Sequence, residues 1–220
     1  MKTPLLLTGV AATLLALAGQ SQAQSANFNT WTAAGDVLVG SATAARLSTA
    51  NLDLDETRLS GSSALQFDAL ELALGLAAGT LAADTFEGSG LALNFSVAAA
   101  STLSFNWTLA SSDTFDAGFA DRSFMVVDGS QILPLGTLAA GPVGGSVNIT
   151  FSTLGSHALA FVVMDVNDAT GVSTLSLSDL SVSAVPEPAS WALLLSGAAG
   201  VAGVAGVARI RLLAQRRRQA

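Results

Sequence analysis

The chain has 220 residues, half of them hydrophobic and only 11% charged, with 16 acidic and 9 basic side chains, no Cys, no Tyr and one His. The missing cysteines exclude a disulfide scaffold, thiolate metal sites and a cysteine nucleophile, and a single histidine leaves little room for imidazole chemistry. The acidic balance excludes a nucleic-acid binder, which clusters Lys and Arg to displace counterions from phosphates.

Residues 1–23 open with Lys2, run apolar from Leu5 to Ala18 and close on the small residues Ser21 and Ala23. That is the three-part layout of a secretory signal peptide, with cleavage expected between Ala23 and Gln24. The apolar run is about 14 residues, short for a membrane span. Residues 24–184 then form one domain's worth of chain, long enough for a proper core. They hold fifteen acidic side chains and only Arg46, Arg58 and Arg122, a net charge of −12.

Within that domain, Asp53-Leu-Asp55-Glu56 puts three carboxylates into four residues, a solvated acidic loop by composition. From Ala64 to Ala78 the period is helical, with Phe67, Leu70, Leu74 and Ala77 on one face. Ser63 with Gln66 reads as a capping box and Gly79 as the C-cap. This short helix is expected to cross the surface of a sandwich or to close one end of it.

The rest follows a period of two. Leu91, Leu93, Phe95 and Val97 share one parity, as do Leu103, Phe105, Trp107 and Leu109, and again Val147, Ile149 and Phe151. Each segment reads as a strand with one dry and one wet face. Ala158–Met164 is apolar on both parities, as a central strand covered on both sides would be. Turn signals at Asp128-Gly129, Gly141-Pro142, Gly144-Gly145, Gly155-Ser156 and Thr170-Gly171 separate the strands. The fold class expected is all-β, an antiparallel β-sandwich of jelly-roll type with one short helix near 64–78.

Chemistry is sparse. Asp113 and Asp116 flank a loop, and Asp165-Val-Asn-Asp168 offers oxygens in a turn, but neither forms an EF-hand loop or a Gly-Asp repeat. His157 follows a Gly-Ser turn and no Gly-x-Ser-x-Gly elbow exists, so a serine triad is not expected. Trp107 lies on the dry face and reads as core rather than as a sugar platform, leaving Trp31 as the domain's other tryptophan. The apolar parity switches at Asp179. A β-bulge there is the favoured reading; the alternative is an inward carboxylate needing a hydrogen bond or a metal. Asp36 and Asp179 are accordingly the candidate ligands of a structural calcium, in a domain for which no other cofactor is expected.

The chain ends with Val185-Pro-Glu-Pro-Ala-Ser-Trp191, an uncharged apolar stretch over 191–208, and a tail, 209–220, holding Arg209, Arg211, Arg216, Arg217 and Arg218. About 20 apolar residues suffice to cross a bilayer, and the Arg cluster assigns the tail to the cytoplasm. Pro186 and Pro188 keep residues 185–190 extended and accessible. Proline pair, apolar span and terminal arginines, in this order, resemble the PEP-CTERM sorting signal of Gram-negative bacteria. The same C-terminal pattern also goes by the name of the ice-binding protein C-terminal segment.

The resemblance implies export through the Sec translocon, removal of the leader by signal peptidase, and an inner-membrane precursor with its sandwich in the periplasm. An exosortase would then act at Pro186-Glu187-Pro188 and deliver the domain to the cell surface or extracellular matrix, in company with exopolysaccharide and biofilm. Ala69–Leu81, Leu103–Trp107, Asp121–Val127, Gly155–Phe161 and Ser173–Leu177 resemble exosortase-sorted ectodomains with a jelly roll like that of carbohydrate-binding modules. No catalytic residue comes with that resemblance. The expected function is a non-catalytic surface or matrix protein; the alternatives are a calcium-dependent glycan-binding module and, behind it, a polysaccharide-active enzyme.

Overall fold

Along each segment with one apolar parity the chain is extended and turns that parity inward, because successive side chains of a strand point to opposite faces. A computed structural model of the chain describes residues 26–81, 84–112, 120–138, 141–167 and 171–185. The expected leader, the Pro186-Glu187-Pro188 motif, the apolar span and the arginine tail lie outside the described residues, as do Asp113, Asp116 and Asp168.

Eleven strands are described: β1 (Thr32–Ala34), β2 (Asp36–Ser41), β3 (Ala44–Ser48), β4 (Leu65–Gln66), β5 (Thr85–Val97), β6 (Ser101–Ser111), β7 (Arg122–Val127), β8 (Gln131–Thr137), β9 (Val143–Phe151), β10 (Gly155–Val166) and β11 (Ser173–Ala184). A helix, α1 (Phe67–Leu74), follows β4. The first sheet has the order β1-β5-β10-β7-β8, with β4 also on β5, and the second the order β2-β3-β11-β6-β9. Every pairing is antiparallel. The described domain is therefore an all-β two-sheet sandwich with one short helix.

Between the sheets lie Leu47, Leu91, Leu103, Phe105, Leu109, Met125, Phe161 and Leu175, all buried. Phe161 is the hub: the Trp31 ring stacks on it at 5.4 Å and Phe105 meets it edge-on at 4.8 Å. Trp107, half-buried at the margin of this core, covers Gly136 and Gly145, as its place on the dry parity predicted.

β10 is central and dry on both faces, as expected. Its outer residues Ala160, Val162 and Met164 pack with Phe124 and Val126 beneath Leu70 and Leu74 of α1, which makes a second core outside the first sheet. A Cβ at Gly90 would collide with the Leu74 side chain, so glycine there lets the helix approach.

The helix is shorter than the 64–78 read from periodicity. Leu65 and Gln66 pair instead with Gly88 and Glu87 of β5. The Ser63 hydroxyl, expected to cap, accepts from Leu52 N at 3.0 Å and faces Asn51 Oδ1. Gln66, at the N-cap position, makes no side-chain cap bond, and the helix ends at Gly75 in the left-handed region (φ 69°), four residues before Gly79. Asp128 and Gly129, both at positive φ (51° and 76°), make the tight turn from β7 to β8 that the Asp-Gly signal announces.

A Cβ at Gly88 would fall on the Val163 carbonyl oxygen and the Met164 sulfur of the neighbouring strand. Because backbone must move to admit it, Gly88→Ala is expected to cost about 3 kcal/mol, read as a loss of Tm in thermal denaturation.

Candidate functional site

At one end of the sandwich the apolar interior gives way to a polar layer. On the inward parity, Val163 of β10 stands opposite Ser89 of β5 and Ser123 of β7. Two residues further, that parity carries Asp165, while on the flanking strands it carries Glu87 and Asp121. All three carboxylates are buried (relative exposures 0%, 1% and 4%). The β5–β10 register shifts between Met164 and Val166, whose partners are Gly88 and Thr85, so β5 holds one extra residue there. Such a bulge re-aims side chains at a strand end; here Phe86 goes outward, 44% exposed, and Glu87 inward.

The partners within this layer are uneven. Asp121 accepts from Ser173 Oγ and from Val166 N. Glu87 accepts from Asn51 Nδ2 through one oxygen, and its Oε1 has no partner. Both oxygens of Asp165, and Ser123 Oγ, are enclosed without a hydrogen-bond partner. Burial first, then the Asp121 carboxylate, with smaller pushes from Glu87 and Glu56, drives the Asp165 carboxyl up to about 9; the nearby Thr49 hydroxyl offsets only part of this. Glu87 is raised too, chiefly by burial and further by Glu56 and Asp53, against the Asn51 amide. The acidic loop 53–56 thus adjoins this layer.

Asp36 and Asp179 do not meet. Asp36 pairs with Ser48, Ser48 with Thr174, and Asp179 stands five residues along β11 from there, about 16 Å at the rise of a strand. Asp36 is fully buried and saturated: it accepts from Ser48 Oγ, Leu59 N, Ser60 N and Ser60 Oγ, tying the 59–60 loop to β2. Burial raises its pKa, but these four donors outweigh burial and hold it below the usual value. Asp179 is exposed at φ 55°, in a register shift between Ser178 and Ser181, and accepts from Asn106 Nδ2 at 2.8 Å. The bulge reading holds, and the inward alternative falls. Among the described residues, no group of three or more His, Asp or Glu side chains is placed to hold a metal ion.

That bulge shapes the outer face of the second sheet. By resetting parity it sends Leu180 inside and leaves Ser181 and Ser183 outside. Three adjacent strands then present rows of hydroxyls and amides: Ser183, Thr102 and Thr150; Ser181, Ser104 and Asn148; Ser178, Asn106 and Ser146. Neighbours lie about 5 Å apart across the strands and about 7 Å along them. The rows are internally bonded, Ser104 Oγ donating to Asn148 Oδ1 at 2.6 Å, Ser146 Oγ to Asn106 Oδ1, and Thr102 meeting Thr150 at 3.1 Å. The rows hold no ionisable side chain; Asp179, in the bulge between them, adjoins them through Asn106.

His157 is occupied on both sides. Nδ1 lies 3.1 Å from Asp128 Oδ2 and Nε2 2.9 Å from the Thr153 carbonyl, so no ring nitrogen is left for a serine. A groove of about 400 Å³ between α1 and the first sheet is lined by Thr30, Thr32, Leu72, Gly75, Asn94 and Ala158 among others, with no ionisable side chain.

No family model matches the chain, and no curated protein matches it. Among solved structures it is similar to a CBM4 module (TM-score 0.34, 15% identity, covering 71% of this chain and 96% of that one). It is similar also to TmCBM61 in complex with β-1,4-galactotriose (0.34, 12%, 73% and 92%) and to CBM35 from Cellvibrio japonicus Abf62 (0.31, 12%, 70% and 98%). The sandwich described above rests on this chain's own strand pairing.

The Thr153 carbonyl first, then Asp128, raise the His157 pKa above its ordinary 6.5, against a small opposing effect of burial. A raised folded-state pKa contributes stability that is complete below the unfolded value and lost as pH climbs through the folded one. An NMR titration of the single histidine is expected to give a pKa above 6.5 that Asp128→Asn lowers, with stability declining across the same window.

Proposed function

We propose that this chain is an exported, non-catalytic surface or matrix protein whose sandwich holds a neutral polysaccharide on the hydroxyl and amide face of the second sheet. One observation carries the reading: a domain of net charge −12 keeps a three-strand face of Ser, Thr and Asn almost free of charge. Hydroxyls and amides both donate and accept, as sugar hydroxyls do. Their mutual bonds fix their orientation, which lowers the entropy lost on binding. The surrounding acids repel anionic polymers and leave neutral ones unaffected.

The non-catalytic reading draws on placement. A glycosidase needs two carboxylates flanking a bound sugar. Asp165, Asp121 and Glu87 lie inside the sandwich, where no sugar reaches them, and His157 has both nitrogens engaged. Export and delivery draw on the sequence: the leader ending at Ala23, and Pro186-Glu187-Pro188 before an apolar span and five arginines, as an exosortase substrate presents them.

Replacing Ser104 and Ser181 by Asp puts charge at the centre of the face. Retention on neutral exopolysaccharide in a pull-down is expected to fall at least tenfold, with stability lowered by about 1 kcal/mol, since the two Asp stand directly opposite each other and Ser104 loses its bond to Asn148. Undiminished retention overturns the glycan reading. Replacing Pro186, Glu187 and Pro188 by Ala is expected to leave intact-mass precursor in the inner membrane, seen by fractionation and mass spectrometry. Normal surface yield of that variant overturns the sorting reading.

A further inference from the structure

We propose that the free edge of β9 is a pairing surface for a second copy of this chain. Two β9 strands meet antiparallel across a two-fold axis and join the second sheets of two sandwiches into one. The proposal stands apart from the glycan reading, because it uses the backbone edge of β9 whatever the outer side chains bind.

The two sheets end in four strands, β1 and β8 in the first, β2 and β9 in the second. Three of these edges are blunted. β1 is three residues long. β2 bulges at Gly40, between the pairs Val39 with Ala45 and Ser41 with Ala44, and the 59–60 loop is bonded to its Asp36. β8 carries Pro134, which has no N–H to offer, and bulges at Leu135. Such devices keep a sheet edge from pairing with another chain. β9 has none of them. Its residues, Val143–Phe151, pair with β6 in one unbroken register, without proline or charge. Among the described residues, no backbone group of 143–151 bonds outside that sheet.

A second observation lies beside this edge. Among the described residues, ten partly buried hydrophobics pack against the main core, and six of them belong to β6, β8 and β9: Trp107, Leu133, Leu135, Val143, Val147 and Ile149. β8 and β9 approach each other at this margin, where Gly136 lies against Trp107 and Val143. The core is therefore incompletely covered along one side of the sandwich, and a strand laid against β9 removes more of it from water.

Charge and register identify the occupant. The domain carries −12, yet β6, β8 and β9 hold no Asp, Glu, Lys, Arg or His. A partner selected by opposite charge has nothing to read on this side. A copy of the same sign needs a contact strip bare of carboxylates, and this margin supplies one. The strand is also self-complementary. Residues that face each other across an antiparallel ladder point to the same side of the sheet, so a two-fold pairing matches like parity with like. Centred on Val147, the pairing engages the whole strand. Val147 faces its own counterpart, Ser146 faces Asn148, and Ile149 faces Gly145, so polar meets polar outside and apolar meets apolar inside. The outward N–H and C=O groups then form about eight to ten hydrogen bonds, close to the number in a typical protein interface.

The test uses the full chain in detergent. The chain has no cysteine, so a single introduced thiol reports the register. Val147→Cys puts two thiols on facing positions with Cα atoms about 5 Å apart, inside disulfide reach. Mild oxidation is expected to give a disulfide-linked dimer on a non-reducing gel, about tenfold or more faster than for Ser41→Cys, an exposed position at the β2 edge. Equal rates at the two positions overturn the proposal. Wild type is expected to sediment as a dimer. Ser146→Asp with Asn148→Asp sets carboxylate against carboxylate twice across the axis and is expected to weaken that dimer about tenfold or more. Ser146→Lys with Asn148→Asp sets opposite charges at the same two places and is expected to keep it. Both residues also belong to the polar rows, so oligomeric state and not polysaccharide retention is the readout. A monomeric wild type overturns the proposal, and so does a dimer that the two double variants affect alike, as one held by the apolar 191–208 stretch would be.

Discussion

The structure depends on a strand that has two dry faces. β10 lies at the centre of the first sheet with β5 and β7 on either side, and from Leu159 to Val166 every residue is buried. Its inner parity carries Phe161, on which Trp31 and Phe105 pack. Its outer parity carries Ala160, Val162 and Met164, apolar surface that a one-layer sheet would leave in water, so a helix must cover it. That requirement fixes the neighbours: β5 needs Gly88 where β10 presses close and Gly90 where Leu74 descends. When the same strand runs past the covered region its inward parity does not change, and the next inward residue is Asp165.

Much of this was legible in the alternation of single strands, and little of it in pairs of strands. The dry parities of 91–97, 103–109 and 147–151 and the two-faced run at 158–164 appear in sequence because each is a local pattern. The helix limits were misread because periodicity cannot see that Leu65 and Gln66 are claimed by β5 or that Gly75, rather than Gly79, takes the left-handed conformation. The polar layer was missed for a similar reason. Glu87, Asp121 and Asp165 are 34 and 44 residues apart, so only strand pairing joins them. One signal was available: Glu87 and Ser89 continue the dry parity of 91–97, Asp121 and Ser123 that of Met125 and Val127, and Asp165 that of Phe161 and Val163. Three strands whose apolar parity ends in a carboxylate indicate a shared acidic end.

Two bulges do opposite work. In β11 the extra residue moves the charged side chain, Asp179, out to solvent and returns Leu180 to the core, so that serines continue the outer face beyond it. In β5 the extra residue sends the apolar Phe86 outward and keeps a carboxylate, Glu87, in. A bulge is neutral as to sign; what it fixes is which face a side chain joins. The first sets one carboxylate beside an otherwise uncharged surface, whereas the second turns one into a dry interior.

Asp36 and Asp165 show why the interior charge needs a counterpart. Both are fully buried, yet four donors hold the Asp36 pKa below its usual value while Asp165 is pushed up to about 9. The difference is in the donors: two backbone amides and two hydroxyls converge on the first, whereas the Thr49 hydroxyl alone offsets burial at the second. Buried ionic groups seldom add stability over apolar side chains of the same shape, and an uncompensated one subtracts from it. A sandwich end closed by valine and leucine would fold at least as well as one closed by three carboxylates. Core packing therefore does not account for this layer; what burial does to it is to drive the Asp165 carboxyl up to about 9, so that it is protonated and neutral near pH 7 and no longer costs what a buried charge would.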